Sequence, residues 1–461
     1  MAIDRRQLQR LQSKPKKSKL NYSKISTKFF TVVLSPEALF RSMPMGIGLV
    51  SIFAGQILLA RGLGSELLGE YSLILAWINF SVIFAVAGFQ FSATKVLPAL
   101  WSGDAIDAVR FAVRYLLSRV AFLSLIAAGI LSAVVAMNPY NVAPNGFFYL
   151  SPVLLLVPIL AFSQVRTAIA SALGCFWVGQ TPDNIVRPLL VGTIVFYLGW
   201  INYPLDIQTV ILLSLFTYGF TALLGGLLLW YAVPVPKNEL YDAQGVRAEL
   251  RGVAIFMGAS SIIISFMKSV DIIIVGANIP PRELAVYVVV TRLAEIVNVI
   301  YFLIDPVFLP RISTLIRDSD RKPLLETVRT YCWCSSVWSL GCFLLSLGLG
   351  GFLLSLYGQQ YVSAWPILLI MLFGLSINAF TGPGGQLLMI GGFERLNFYT
   401  TLISACWYIV SIYVLTSMYG TYGAVISLVL YQIFRGLLQA FFVRLYLGFG
   451  ITIFDGEMTS R

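Results

Sequence analysis

Apolar stretches long enough to cross a bilayer follow one another along most of this sequence, and no other feature constrains the fold as tightly. A spanning helix takes about 20 predominantly apolar residues. Hydropathy places such stretches at 38–60, 67–90, 112–137, 147–172, 185–203, 208–232, 251–276, 283–306, 328–355, 363–389, 397–418 and 422–447. Inside hydrocarbon only helices and closed barrels satisfy the backbone, and uninterrupted apolar runs of this length are helical. The balance of residues agrees: 58% are hydrophobic and 11% charged, against about 25% charged in soluble domains. A stack of soluble core helices would not need so many long apolar stretches joined by such short loops. The expected fold class is all-α, a polytopic membrane protein of about twelve transmembrane helices.

The basic residues sort by loop. The N-terminus, 91–111, 173–184, 233–250, 307–327, 390–396 and the C-terminus hold or flank most of them, Lys95, Arg110, Lys237, Arg311 and Arg395 among them. The other set of loops, 61–66, 138–146, 204–207, 277–282, 356–362 and 419–421, contains only Arg61 and Arg282. The positive-inside rule therefore places both termini in the cytoplasm. Nine of the 32 basic residues lie before position 30, which accounts for much of the net charge of +11. That distribution points to a cytoplasmic tail near anionic headgroups rather than to nucleic acid, and the tail lacks the layout of a signal peptide. The sequence contains no histidine, which excludes histidine–metal sites and Ser–His or Cys–His catalysis. The five cysteines are scattered without metal or redox spacing and read as packing residues.

The chain also repeats itself after six helices. A shift of 216 positions pairs Leu68-Gly69-Glu70-Tyr71 with Leu284-Ala285-Val286-Tyr287, Lys95 with Arg311, and Asp104 with Asp320. At a nearby shift Pro152-Val153-Leu154-Leu155-Leu156 matches Pro366-Ile367-Leu368-Leu369-Ile370. Six is even, so both halves enter the membrane from the same side and are related by an axis along its normal. The expected organisation is a basic tail over 1–37, an N-terminal six-helix lobe over 38–233, a linker over 234–250, a C-terminal six-helix lobe over 251–447 and a tail over 448–461. Two such bundles enclose a central cavity, and rocking one against the other gives alternating access.

Ionisable groups inside a span cost roughly 2.5–3.5 kcal/mol each on insertion scales and face a cavity or a partner. Lys268 and Asp271 in helix 7, and Arg292 and Glu295 in helix 8, stand out; the last two are three apart and share a helix face. They read either as an ion-pair cluster tying the two helices together or as cavity cations with Asp271 or Glu295 as counter-charge or coupling-ion site. Arg119, Arg166 and Arg187 sit one to two turns inside the cytoplasmic ends of helices 3, 4 and 5. They either snorkel to the interface or line a vestibule attractive to diphosphate. Arg61, at the outer end of helix 1, either holds substrate late in a cycle or caps its helix, and Asp305 beside Pro306 reads as structural. Met43-Pro44-Met45-Gly46-Ile47-Gly48 and Thr381-Gly382-Pro383-Gly384-Gly385 are read as hinges, bent cavity walls or points of close packing.

Three segments carry a family resemblance. Leu59-Ala60-Arg61-Gly62-Leu63-Gly64-Ser65-Glu66-Leu67-Leu68-Gly69-Glu70-Tyr71 is one. Asp271-Ile272-Ile273-Ile274-Val275-Gly276 with Ala285-Val286-Tyr287 and Arg292 is the second, and Leu356-Tyr357-Gly358-Gln359-Gln360-Tyr361 the third. Over roughly 35–447 the chain resembles the polysaccharide-transporter branch of the multidrug/oligosaccharidyl-lipid/polysaccharide (MOP) exporter superfamily, the O-antigen (Wzx-type) flippases. The resemblance implies two six-helix lobes in a V shape in a bacterial inner membrane. It further implies a cation-lined cavity for the head of an undecaprenyl-diphosphate-linked oligosaccharide, with Arg292 carried over first as a cavity cation. The long basic N-terminus departs from the family's compact start.

The expected function is thus a flippase and not an enzyme, moving an O-antigen, capsule or exopolysaccharide repeat unit to the outer leaflet. No Walker A loop is present, so an H+ or Na+ gradient or the membrane potential is the expected driver, without a resident cofactor. Expected partners are the lipid-linked oligosaccharide, membrane lipids and polysaccharide polymerase machinery. Alternatives are a multidrug/cation antiporter of the same superfamily, disfavoured by the excess of intramembrane arginine and lysine over acid, and a non-transporting subunit of a polysaccharide export system. A membrane glycosyltransferase would require larger outward loops.

Overall fold

The computed structural model describes residues 36–102, 105–137, 150–233, 241–318 and 320–450. The basic N-terminal tail, the end of the C-terminal tail, the loop 138–146 and much of the inter-lobe linker lie outside the described residues. Among the described residues the structure is helical and contains no strand. In chain order the elements are α1 (Pro36–Val86), α2 (Phe89–Ser102), α3 (Ile106–Met137), α4 (Leu150–Ala172), α5 (Phe176–Gln180), a π-turn (Thr181–Val186), α6 (Arg187–Trp200) and α7 (Ile207–Ala232). The second half holds α8 (Ala243–Asn278), α9 (Pro281–Ala294), a 3₁₀ turn (Glu295–Asn298), α10 (Val299–Arg317) and α11 (Arg321–Tyr357). It continues with a second 3₁₀ turn (Gln359–Ala364), α12 (Trp365–Phe380), α13 (Gly384–Ile390) and α14 (Glu394–Leu447).

Eight stretches among the described residues are long and apolar enough to cross a membrane. Two of them, Gly46–Val86 and Glu394–Leu447, are 41 and 54 residues long and break inside. Gly64 (φ 71°) interrupts α1 and Gly420 (φ 56°) interrupts α14, left-handed backbone that glycine adopts without a Cβ clash. Beyond Gly420 the chain turns back on itself. Ser427 Oγ donates to the Ser411 carbonyl at 3.1 Å and Gln439 Nε2 to Asn397 Oδ1 at 3.1 Å. Along a straight helix these pairs would lie about 24 and 63 Å apart. The expectation of about twelve spans and the eight continuous stretches differ in part because each of these broken helices is read as one. The protein is a multi-pass membrane protein, and its outer surface fits that medium: Phe122, Leu125 and Ile130 on α3 and Leu223, Leu227 and Trp230 on α7 are exposed.

Segments expected to be basic loops are largely helical. α2 occupies most of 91–111, α10 and α11 extend through 307–327, and α5 with the π-turn takes up most of 173–184. A fall in hydropathy marks where a helix leaves the apolar layer, and its hydrogen bonding continues past that point. Local signals set the starts. Asp206 caps α7 by accepting from Thr209 N at 3.0 Å, and Asp242 caps α8 by accepting from Gln244 and Gly245 N, each at 3.0 Å. Pro281 sits at the first position of α9, where a missing N–H costs nothing. The segment Thr381–Pro383 breaks the chain between α12 and α13 rather than kinking a single helix.

Helix starts recur between the halves. α3 and α7 begin at Ile106 and Ile207; α11 and the arm of α14 after Gly420 begin at Arg321 and Thr421, a nearly constant displacement. Contacts also sort the connections into two ends. At one end Arg61 reaches the Leu356 carbonyl and Thr421 Oγ1 donates to Glu283 Oε2. At the other, Ser92 Oγ donates to the Leu250 carbonyl and Arg251 Nε to the Tyr115 hydroxyl.

The first arm of α1 packs on α6 along a seam of small residues. A Cβ on Gly55 would lie 2.2 Å from the Pro188 carbonyl oxygen, and one on Gly62 2.7 Å from that of Val195. From the other side, a Cβ on Gly192 would lie 2.5 Å from the Gly55 carbonyl oxygen. Main chains meet there, the close packing that small residues permit in membranes.

A polar cavity between the two halves

Both halves line a cavity of about 490 Å³. A second of about 460 Å³ adjoins it, and Gln56, Tyr71, Asn79, Gln164 and Arg292 border both. The wall from the second half carries charge. Lys268 and Asp271 stand on α8 one turn apart, Arg292 near the end of α9, and Glu295 at the start of the 3₁₀ turn that follows. Arg292 Nη1 donates to both Glu295 carboxylate oxygens, at 3.1 and 3.3 Å, with side chains 41% and 44% exposed. At that exposure the pair is open to competition from another anion. Asp271 Oδ2 accepts from the Tyr287 hydroxyl at 3.2 Å, and Oδ1 from the Ile272 amide at 2.7 Å. Tyr287 is fully buried on α9, so the carboxylate is tied to the neighbouring helix on one side and open to the cavity on the other.

The wall from the first half is different. In the larger cavity it has no ionisable carboxylate, guanidinium or ammonium among the described residues. Its polar groups include the carboxamides of Gln56 and Asn79 on the two arms of α1, Gln90 on α2 and Gln164 on α4. None of these four side chains has a hydrogen-bond partner among the described residues. Tyr71, the repeat counterpart of Tyr287, is buried and accepts from Ser214 Oγ at 3.0 Å.

The smaller cavity adds Asp183, Asn184, Arg187 and Tyr218. Asp183 lies in the π-turn, whose extra residue per turn re-aims its side chain. One carboxylate oxygen pairs with the wholly buried Arg166, which leaves Asp183 Oδ1 to Arg187 Nη1 at 3.5 Å. The Arg187 guanidinium also lies over the Tyr218 ring, 4.6 Å from its centroid.

The site residues expected from the sequence thus meet only in part. Arg292, Lys268, Asp271 and Glu295 converge on the larger cavity, and Arg187 with Arg292 borders the smaller one. Arg166 sits behind the cavity wall in its ion pair with Asp183 instead of reaching for the interface. Arg119 is on the exposed side of α3, 5.2 Å from the Tyr115 ring centroid and outside both cavities. Arg61 caps no helix of its own: its Nε donates to the Leu356 carbonyl at 2.6 Å and its Nη2 to that of Ser355 at 3.4 Å, at the end of α11 in the other half. Asp305 joins three helices, accepting from Tyr331 at 2.8 Å and Gln386 at 3.1 Å. Asp183 and the four carboxamides were not among the expected site residues. Their signal is a polar side chain inside an apolar run, the same signal that singled out Arg292, without a formal charge or, for Asp183, on the wrong side of a supposed loop boundary.

Solved structures resemble this fold across nearly its whole length. An inward-facing multidrug-resistance MATE-family transporter of the MOP superfamily superposes with a TM-score of 0.66 at 12% identity, covering 88% of this chain and 98% of its own. The lipid II flippase MurJ in an inward closed conformation gives 0.63 at 12%, covering 88% and 87%. A MOP superfamily transporter from Pyrococcus furiosus gives 0.56 at 14%, covering 91% and 98%. No curated protein matches the sequence. The protein therefore has the fold of MOP superfamily transporters, with two helical bundles. The family model described as polysaccharide biosynthesis protein matches residues 45–316, more than half of the sequence, and the chain belongs to that family.

Proposed function

We propose that this protein is a flippase that carries an undecaprenyl-diphosphate-linked oligosaccharide from the inner to the outer leaflet of a bacterial inner membrane by ion-coupled alternating access. The observation that carries the reading is the placement of Arg292 and Lys268 in a cavity walled by both halves. A diphosphate does not cross about 30 Å of hydrocarbon unaided. It needs a polar route and cationic donors, and arginine presents several donors and stays charged. Arg292 meets the head first, exchanging Glu295 for phosphate oxygens. Lys268 and Arg187 add positive charge on either side, and Asp271 and Glu295 provide the carboxylates that a coupling H+ or Na+ requires. The two lobes, 38–233 and 251–447, rock about the cavity while the lipid tail stays in the membrane. The basic end faces the cytoplasm, with both termini, and the polysaccharide polymerase machinery receives the cargo outside.

Family membership supports a role in polysaccharide biosynthesis, and one structure that shares the fold is a lipid II flippase. The carboxylates Asp271 and Glu295 in the same cavity favour a second reading, a cation antiporter, because MATE-family transporters share the fold.

Proteoliposomes loaded with a fluorescent undecaprenyl-diphosphate-linked oligosaccharide test the two. The flippase reading expects wild-type protein to equilibrate the probe between leaflets and Arg292→Ala to slow this about tenfold or more at equal reconstitution, the loss of a charge-assisted hydrogen bond worth about 1.5–3 kcal/mol. Movement of a cationic dye with no movement of the lipid-linked sugar would establish the antiporter instead.

A further inference from the structure

Four uncharged carboxamides converge on the cavity, and none has a hydrogen-bond partner among the described residues. Gln56, Asn79, Gln90 and Gln164 come from four different helical segments, and all four border both cavities. Asn79 and Gln164 are exposed to the cavity and Gln56 and Gln90 half-buried beside it, and the usual structural use of an amide in a membrane helix, hydrogen bonding to a neighbouring helix, does not operate here among the described residues. The opposite wall holds the four charged groups Lys268, Asp271, Arg292 and Glu295, with the amides of Asn298 and Gln432 among them.

We infer that the Gln56–Asn79–Gln90–Gln164 wall is a saccharide subsite, which reads the sugar head while the charged wall holds the diphosphate; the inference rests on the flippase reading. The two halves of the cargo ask for different chemistry. A diphosphate only accepts hydrogen bonds and is best met by charged donors, so a carboxamide beside it uses its NH2 and leaves its carbonyl idle. Sugar hydroxyls and N-acetyl groups both donate and accept. A carboxamide presents two donors and an acceptor side by side in one plane, so each can serve neighbouring hydroxyls without a charge that would need neutralising. Four such groups on separate segments address the sugar from several directions. A site built to hydrogen-bond its ligand also rejects one that lacks the matching group. The wall therefore sets which saccharide is carried, and the cations set that a diphosphate lipid is carried at all.

Two probes separate these roles: undecaprenyl diphosphate without sugar, and the same lipid bearing an N-acetylglucosamine-initiated oligosaccharide. Both are titrated against purified full-length protein in nanodiscs. The expected result for wild type is tighter binding of the sugar-bearing lipid. Asn79→Leu and Gln164→Leu should each weaken that binding about fivefold, and the double variant about thirtyfold, because each removes about a kcal/mol of hydrogen bonding. Binding of the bare diphosphate lipid should stay within about twofold, which also certifies that the variants are folded. Arg292→Ala should weaken both lipids together. Gln56→Leu and Gln90→Leu repeat the test at sites on other segments.

Equal losses for both lipids, or no loss for either, would overturn the subsite while leaving the flippase reading standing, and so would equal wild-type affinity for the two. Wild-type protein that binds neither lipid would remove the flippase reading, and the subsite with it.

Discussion

Replacing Gly55 by alanine should destabilise the first half, although the same exchange at Gly219 should not. Both glycines are inside helices, so alanine gains up to about 1 kcal/mol of helix propensity at either. The surroundings decide the sign. At Gly219 a Cβ meets nothing within 4 Å, and the gain stands. At Gly55 the new carbon would lie 2.2 Å from the Pro188 carbonyl oxygen, 2.5 Å from its carbon and 2.8 Å from its Cβ. A carbon and an oxygen not bonded to each other settle at about 3.3 Å or beyond, so α6 must retreat from α1 by about an ångström. A gap of that size forfeits a quarter to a half of each dispersion contact along the seam. Overpacking of this kind costs about 1–3 kcal/mol, which outweighs the propensity gain. Pro188 adjoins Arg187 and Gly55 adjoins Gln56, so the retreat also moves two cavity residues. Thermal melting of detergent-solubilised protein, followed by size-exclusion chromatography, gives the order Gly219→Ala at or above wild type and Gly55→Ala below it. A Gly55→Ala protein as stable as Gly219→Ala would refute the seam.

Three further outcomes are expected. Asp183→Asn strands the buried Arg166 charge and should cost about 3–5 kcal/mol, whereas adding Arg166→Met should restore much of the melting temperature; an unrescued double variant would argue against the pair as the cause. Arg61→Ala removes the main-chain link to α11 and, at about 1–2 kcal/mol, should shift the balance between open and closed states at that end about 5–30-fold; spin labels on the two halves would report it as a new distance population, and an unchanged distribution would refute it. Asp271→Asn should alter the pH or sodium dependence of transport in proteoliposomes, and unchanged dependence would remove this carboxylate as the coupling group.

Much of the fold could be read in the sequence because hydrophobic length carries the information. Each apolar stretch overlaps a helix, and the shift that aligns Tyr71 with Tyr287 brings helix starts in the two halves to within one or two residues of each other. The helix breaks at Gly64 and Gly420 coincide with short polar gaps. The site was legible only in part. Lys268, Asp271, Arg292 and Glu295 announce themselves as charges in apolar surroundings, and they meet in one cavity. Arg166 looks the same in sequence yet lies buried, because its partner Asp183 is brought round by a π-turn that no periodicity reveals. Arg119 sits at a comparable depth in its stretch but on the wrong side of α3. The carboxamides were silent for a different reason: a single glutamine in a hydrophobic run barely changes hydropathy, and only three-dimensional convergence gives four of them a meaning.

The clasp formed by Arg61 ends on carbonyl oxygens of Ser355 and Leu356, not on their side chains. Those two positions are therefore free to drift during evolution without loosening it, provided the helix still stops where it does. Pairwise substitution patterns would give no trace of the connection. An insertion or deletion ahead of Gly358, which moves the oxygens themselves, would cut it at once.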